Sequence, residues 1–190
     1  MAKVAIVGAS GYTGAELLRL AAGHPDLDVV VATGDSQAGN PITGLYPSLT
    51  GAYDGRVFDT WAPESVDGVD LAFCALPHGA SQAIVPLLRD RVGHVVDLAA
   101  DFRLDDPEAY PEWYGEAHTV PELLAESVYG LPELFRADLE GATLVANPGC
   151  YPTSAALALA PLLRAGLIEA TGIVVDAVSG VSGAGRTLKA

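Results

Sequence analysis

Apolar positions along the chain fall into short unbroken runs separated by longer stretches with helical spacing. Residues 4–7 (Val-Ala-Ile-Val) read as a buried strand, and a glycine-rich turn follows. The spacing then predicts a helix over 13–22, with Leu17, Leu18, Leu20 and Ala21 as its apolar stripe and Gly23 as its stop. Further strands are predicted over 27–32, over 71–75 after the turn Asp67-Gly68, and over 95–98, 144–146 and 173–178. Helices are predicted over 81–88, where Pro86 should bend the helix or end it early, and over 155–164, closed by Gly166. The segment 107–132, rich in Pro, Glu and aromatics, reads as an irregular excursion. Strands that are apolar throughout and alternate with helices need cover on both faces. That implies a doubly wound α/β domain built on a parallel sheet. The pattern restarts with a fresh helix near Cys150, which divides the chain into 1–148 and the start of a second α/β unit over 149–190.

The turn after the first strand is Gly8-Ala9-Ser10-Gly11-Tyr12-Thr13-Gly14, a G-x-x-G-x-x-G variant of the dinucleotide fingerprint between a strand and a helix. Gly8 permits the tight turn, Gly11 lets backbone approach a pyrophosphate, and Gly14 allows close helix–sheet packing. The phosphate charge then rests on unpaired N–H groups at the helix start. Ser10 and Thr13 add hydroxyls that either cap the helix or touch phosphate. An acidic residue about 20 positions past the glycines holds a ribose 2′-hydroxyl in NAD sites, and Asp35 stands near that spacing. Asp35 is either that reader or a solvated turn residue, while Ser36 and Gln37 are alternative donors to a 2′-phosphate.

Asn147-Pro148-Gly149-Cys150-Tyr151-Pro152-Thr153 lies between a strand and an apolar helix. A thiol in the first turn of a helix faces the positive end of the dipole, which favours the thiolate. The neighbouring N–H groups suit an oxyanion formed on an attacked carbonyl. The turn should set Cys150 at the C-terminal edge of the sheet, where doubly wound folds bind ligands. Cys74, among Leu71, Ala72, Phe73 and Ala75, reads as inert packing.

Composition narrows the partners. The 190 residues carry 10 Lys and Arg against 24 Asp and Glu, a formal net charge of −14, and 50% are hydrophobic. So acidic a chain repels nucleic acid and anionic bilayers, leaving a small molecule as the expected ligand. Two cysteines make no disulfide framework, and neither a signal peptide nor a membrane span is readable, so a soluble cytoplasmic protein is expected. No metal site is expected.

Several separated motifs together resemble one family, the N-acetyl-gamma-glutamyl-phosphate reductases of arginine biosynthesis. They are the loop 8–14 with Ala15-Glu16-Leu17, Ala75-Leu76-Pro77-His78-Gly79, the run 97–103, Tyr129-Gly130-Leu131-Pro132-Glu133, the run 147–153 and the loop 179–186. The resemblance implies an NADP-binding Rossmann domain and a second α/β domain for catalysis and oligomerisation. It implies NADPH-dependent reduction of an acyl phosphate to a semialdehyde through a thioester on Cys150, with NAD an open alternative as cofactor. It places the cofactor against Gly8, Ser10, Gly11, Tyr12, Thr13, Gly14, Pro77, Gly183, Ala184 and Gly185, to which the reading of the residues after the second strand adds Ser36. Arg103 then grips substrate phosphate, or else forms an ion pair with Asp101 or Asp105. His78 is a structural member of its turn or a base, and Arg186 binds an anion or is solvated. The family's general base is a histidine beyond the loop 179–186, and His24, His78, His94 and His118 do not match it. The chain as given therefore reads as a piece of a longer protein, expected to bind nucleotide only partly and to turn over poorly. The alternatives are an aspartate-semialdehyde dehydrogenase type of reductase and a nucleotide-binding module without catalysis.

Overall fold

A computed structural model describes residues 1–186. Six strands form one all-parallel sheet: β1 (Ala2–Val7), β2 (Leu27–Ala32), β3 (Leu71–Cys74), β4 (His94–Asp97), β5 (Ser127–Tyr129) and β6 (Leu144–Ala146). Their order is β2-β1-β3-β4-β6-β5. The chain leaves β1 for β2 on one side and returns to β3 on the other, so the crevice between β1 and β3 is the switch point where doubly wound sheets bind ligands.

Alternate side chains of β1 serve opposite faces, as a period of two requires. Val4 and Ile6 pack with Leu18 and Ala21 of α1 (Tyr12–Ala22) and with Ile42 of α2 (Ile42–Leu45). Ala5 and Val7 face the other core, which holds Val85 and Leu88 of α3 (Ser81–Arg89). Tyr110 of α4 (Tyr110–Tyr114) belongs to that second core, while α5 (Pro132–Phe135) buries nothing fully. Burying the Leu18 and Leu88 side chains contributes roughly 1.5–3 kcal/mol each.

The outer strand β2 carries a bulge: Val4 pairs with Val29 and Ala5 with Val31, so Val30 has no partner. Arg56, stacked over the Tyr53 ring at 5.7 Å, donates to the carbonyls of both Val29 and Val30.

Four local expectations need correction. Helix α3 continues through Pro86 to Arg89. The excursion 107–132 contains α4 and ends in β5, a strand of three half-buried residues paired to β6. Helix α6 begins at Cys150, not at 155, and runs to Arg164, because Gly149 caps it in extended conformation and Pro152 falls within the first turn, where no N–H is needed. Residues 173–178 form no strand: with no sheet neighbour among the described residues they stay exposed, Val174 at 89% and Val178 at 92%.

Candidate functional site

The first strand delivers its loop into the switch point under tight steric control. Gly8 has φ +90, and a Cβ there would stand 2.9 Å from the Ala75 carbonyl carbon and closer still to its oxygen. A Cβ on Gly14 would meet Ala9 Cα at 2.5 Å, so helix and loop touch backbone to backbone. Gly11 differs, since only the Gly8 carbonyl, at 3.6 Å, lies near its Cβ position. Two glycines therefore let the chain pack, and the third leaves its outer side open.

Residues after β2 hold this loop. Thr33, buried, accepts the Gly8 N–H through its hydroxyl (3.1 Å), and its carbonyl accepts the Ala9 N–H (2.8 Å). The Ser10 hydroxyl donates to the Gly34 carbonyl (3.0 Å), and Tyr46 donates to the Ser10 carbonyl (2.6 Å). Ser10 thus anchors the loop inward. No side chain caps α1, so its first-turn N–H groups remain available to an anion. Tyr12 and Thr13 are exposed above them. Asp35 and Ser36, both exposed, open a short 3-10 turn, Asp35–Gln37, with Asp35 itself at φ +47.

The loop after β3 flanks Gly8. Pro77 is exposed; the His78 Nδ1 lies 2.8 Å from Asp101 Oδ1, and the His78 ring lies against Tyr114 with centroids 4.6 Å apart. Asp101, fully buried, also accepts the N–H groups of Gly79 (2.8 Å) and Ser81 (2.9 Å), which caps α3 from another loop. Beside it Asp97, the last residue of β4, is fully buried and accepts the Ser81 hydroxyl at 2.6 Å and the Ala99 N–H at 3.3 Å. Its Oδ2 has no partner among the described residues. Burial pushes the Asp97 carboxyl up to about 6, with the Asp101 charge adding to the rise and the Ser81 bond opposing it. Cys74 is buried against these carboxylates, and burial first, then their charges, push its thiol well up. That agrees with packing as its role.

Two strands beyond β3, β6 leads to Cys150, the first residue of α6 and exposed. No side chain caps α6, and Pro152 has no N–H, so the amides of Cys150 and Tyr151 are the free donors of its first turn. The Thr153 amide and hydroxyl both donate to the Gly149 carbonyl, at 3.0 and 2.8 Å. Cys150 opens on a cleft of about 560 Å³ lined also by Gly130, Pro132, Glu133, Asn147 and Thr153. Arg103 makes no ion pair with Asp101 or Asp105. It donates to the carbonyls of Asn147 (2.7 Å) and Leu98 (2.9 Å), and its Nη1 lies against Gly149, 3.2 Å from that residue's Cβ position.

The structure thus brings together two groups on one sheet edge: loop 8–14 with Ser36 and Pro77, and Arg103 with Cys150. Three strand spacings of about 4.8 Å separate β1 from β6, roughly 14 Å. Gly183 and Gly185 are exposed, and the backbone of Ala184 ends the 3-10 turn Val181–Ala184. Burial raises the Tyr46 phenol and the Arg186 charge opposes that rise. Thr33, Tyr46 and Asp101 are the positioning residues that sequence reasoning missed. Asp101 alone had a signal, since it lies within the run 97–103.

The fold and the paired loops define a protein of the α/β dinucleotide-binding class with an exposed cysteine thiol at its sheet edge. The chain belongs to the semialdehyde dehydrogenase family: the model of that family's NAD binding domain matches residues 3–142, and the model of its dimerisation domain matches residues 150–190. Among similar proteins are N-acetyl-gamma-glutamyl-phosphate reductases of Symbiobacterium thermophilum, 52% identical over 97% of this chain, and of Geobacter sulfurreducens, 51% identical over all of it. The chain spans about half the length of these curated relatives, 53% and 54%. The aspartate semialdehyde dehydrogenase of Candida albicans, solved with NADP, shares the fold at TM-score 0.62 and 15% identity, covering 86% of this chain and 47% of that one. Among the described residues no helix is long and apolar enough to cross a membrane.

Proposed function

We propose that the chain carries the cofactor loop and the nucleophile of an NADPH-dependent N-acetyl-gamma-glutamyl-phosphate reductase. The observation that supports this most is the exposed Cys150 at the uncapped start of a 15-residue helix, facing a cleft on the same sheet edge as loop 8–14. Residues 1–148 form the dinucleotide domain, and 149–190 open a unit that joins a second copy in the whole protein, which acts in the cytoplasm.

The cofactor fits the residues present. Gly11 is open, and the first-turn N–H groups of α1 suit a pyrophosphate, with Tyr12, Thr13 and Gly14 around it. Ser36, Pro77, Gly183, Ala184 and Gly185 line the rest of its course. When bound, the nicotinamide supplies the hydride that reduces an acyl group to an aldehyde. The Cys150 thiolate attacks the carbonyl carbon of the acyl phosphate, the carbon–oxygen bond to phosphate breaks, and inorganic phosphate leaves a thioester on Sγ. During that attack the Cys150 and Tyr151 amides bear the oxyanion. Arg103, held by two carbonyls beside Gly149, directs its remaining nitrogen to the departing phosphate.

One feature favours a second reading of the cofactor: Asp35 stands where a carboxylate reads the ribose 2′-hydroxyl of NAD. Comparing NADPH with NADH affinity in the parent and in Asp35→Ser tests it. A shift toward NADPH assigns that role to Asp35, and an unchanged preference assigns Asp35 to the solvated turn. For the reaction, the whole protein should reduce NADP with N-acetylglutamate semialdehyde only when phosphate is present, and Cys150→Ser should abolish this. Equal or faster turnover of aspartate semialdehyde would overturn the substrate assignment.

A further inference from the structure

His78 is set differently from the other groups around the crevice. The two buried oxygens of Asp101 already accept two backbone N–H groups, and a carboxylate offers only acceptors, so in the contact with His78 it is the acceptor and the imidazole proton resides on Nδ1. The ring is further fixed by Tyr114 on one face, and the side chain keeps 36% exposure. Its Nε2 has no partner among the described residues. A ring whose tautomer and plane are both held, with one polar atom left free, is a preorganised contact rather than a surface histidine.

Its place in the sheet says what that atom meets. The β3 loop packs on Gly8, where the pyrophosphate binds, and lies on the side of β1 that leads through β4 to β6 and Cys150. A dinucleotide whose redox ring must reach an acyl group on Cys150 runs its nicotinamide half in that direction, over the β3 loop. We propose, building on the dinucleotide reading above, that His78 is a cofactor-binding residue whose Nε2 accepts a hydrogen bond from a ribose hydroxyl of the nicotinamide half. Asp101 is the residue that aligns it.

The test compares binding of NADPH and of its adenine half, 2′-phospho-ADP, to the full chain by calorimetry. His78→Ala removes both contacts of the ring, whereas His78→Asn can keep the bond to Asp101 but cannot reach the Nε2 position. Both variants should weaken NADPH by about 3- to 10-fold, the effect of one hydrogen bond, and leave 2′-phospho-ADP unchanged. Unchanged NADPH affinity in both variants overturns the assignment. So does an equal loss of both ligands, which marks a purely structural residue, and so does normal NADPH binding by His78→Asn alone, which marks a loop anchor. If the parent chain binds neither ligand, the dinucleotide reading itself fails and takes this inference with it.

Discussion

Replacing Asp97 with asparagine removes a titrating group from the centre of the sheet edge while keeping its shape. In the folded protein burial raises this carboxyl from 3.8 to about 6. Below about pH 3 it is protonated in both the folded and the unfolded chain and has no effect on the balance. Between pH 4 and 6 the unfolded chain releases the proton while the folded chain retains it, so stability falls as pH rises. Above the folded value the loss levels off at roughly 3 kcal/mol. Burial is the physical cause, and among the described residues nothing at Oδ2 replaces the hydration it loses. Asp97→Asn lacks this titration. Urea denaturation of parent and variant from pH 4 to pH 7.5 should therefore show their stability difference move in favour of asparagine by about 2.5 kcal/mol, with carboxylates remote from Asp97 cancelling in the comparison. A difference that stays flat with pH, or that moves toward aspartate, would refute the reasoning.

Gly8→Ala should destabilise the fold by about 2 kcal/mol or more, from the clash with Ala75 and the positive φ, whereas Gly11→Ala should cost about 1 kcal/mol or less yet weaken NADPH binding; thermal melts and titrations separate the two. Iodoacetamide should label Cys150 in the folded chain and leave Cys74 untouched until urea exposes it, as read by peptide mass spectrometry. Arg103→Lys cannot bridge the Leu98 and Asn147 carbonyls as a fork does, and should lower stability by about 1–3 kcal/mol in a denaturant titration.

Where the signal was local, the sequence was readable. The strand–glycine–helix unit at residues 4–22 announced itself, because each glycine answers a nearby steric demand and Gly23 ends the helix as read. Cys150 was placed at a helix start by its neighbours, although α6 begins earlier than its apolar run because Gly149 and Pro152 extend the first turn backward. What remained hidden depends on distant segments. β5 is too short and too evenly half-buried to show any period, and it exists only through β6. The strand expected over 173–178 had the right residues and lacked a neighbour among the described residues. Ser10 could be named as a loop hydroxyl, but its bond to Gly34 depends on how β2 returns. The joining of His78 to Asp101 depends likewise on β3 and β4 ending at the same level, with Cys74 opposite Asp97.

The bulge at Val30 and the guanidinium of Arg56 have a consequence for how molecules of this protein meet one another. An outermost parallel strand is a template on which another chain can add itself by main-chain bonding, and repetition of that step builds aggregates. Here the template is spoiled twice: an extra residue disrupts the repeat, and a cation already occupies the two acceptors an incoming strand would want. Molecules crowded together are thereby discouraged from joining through β2.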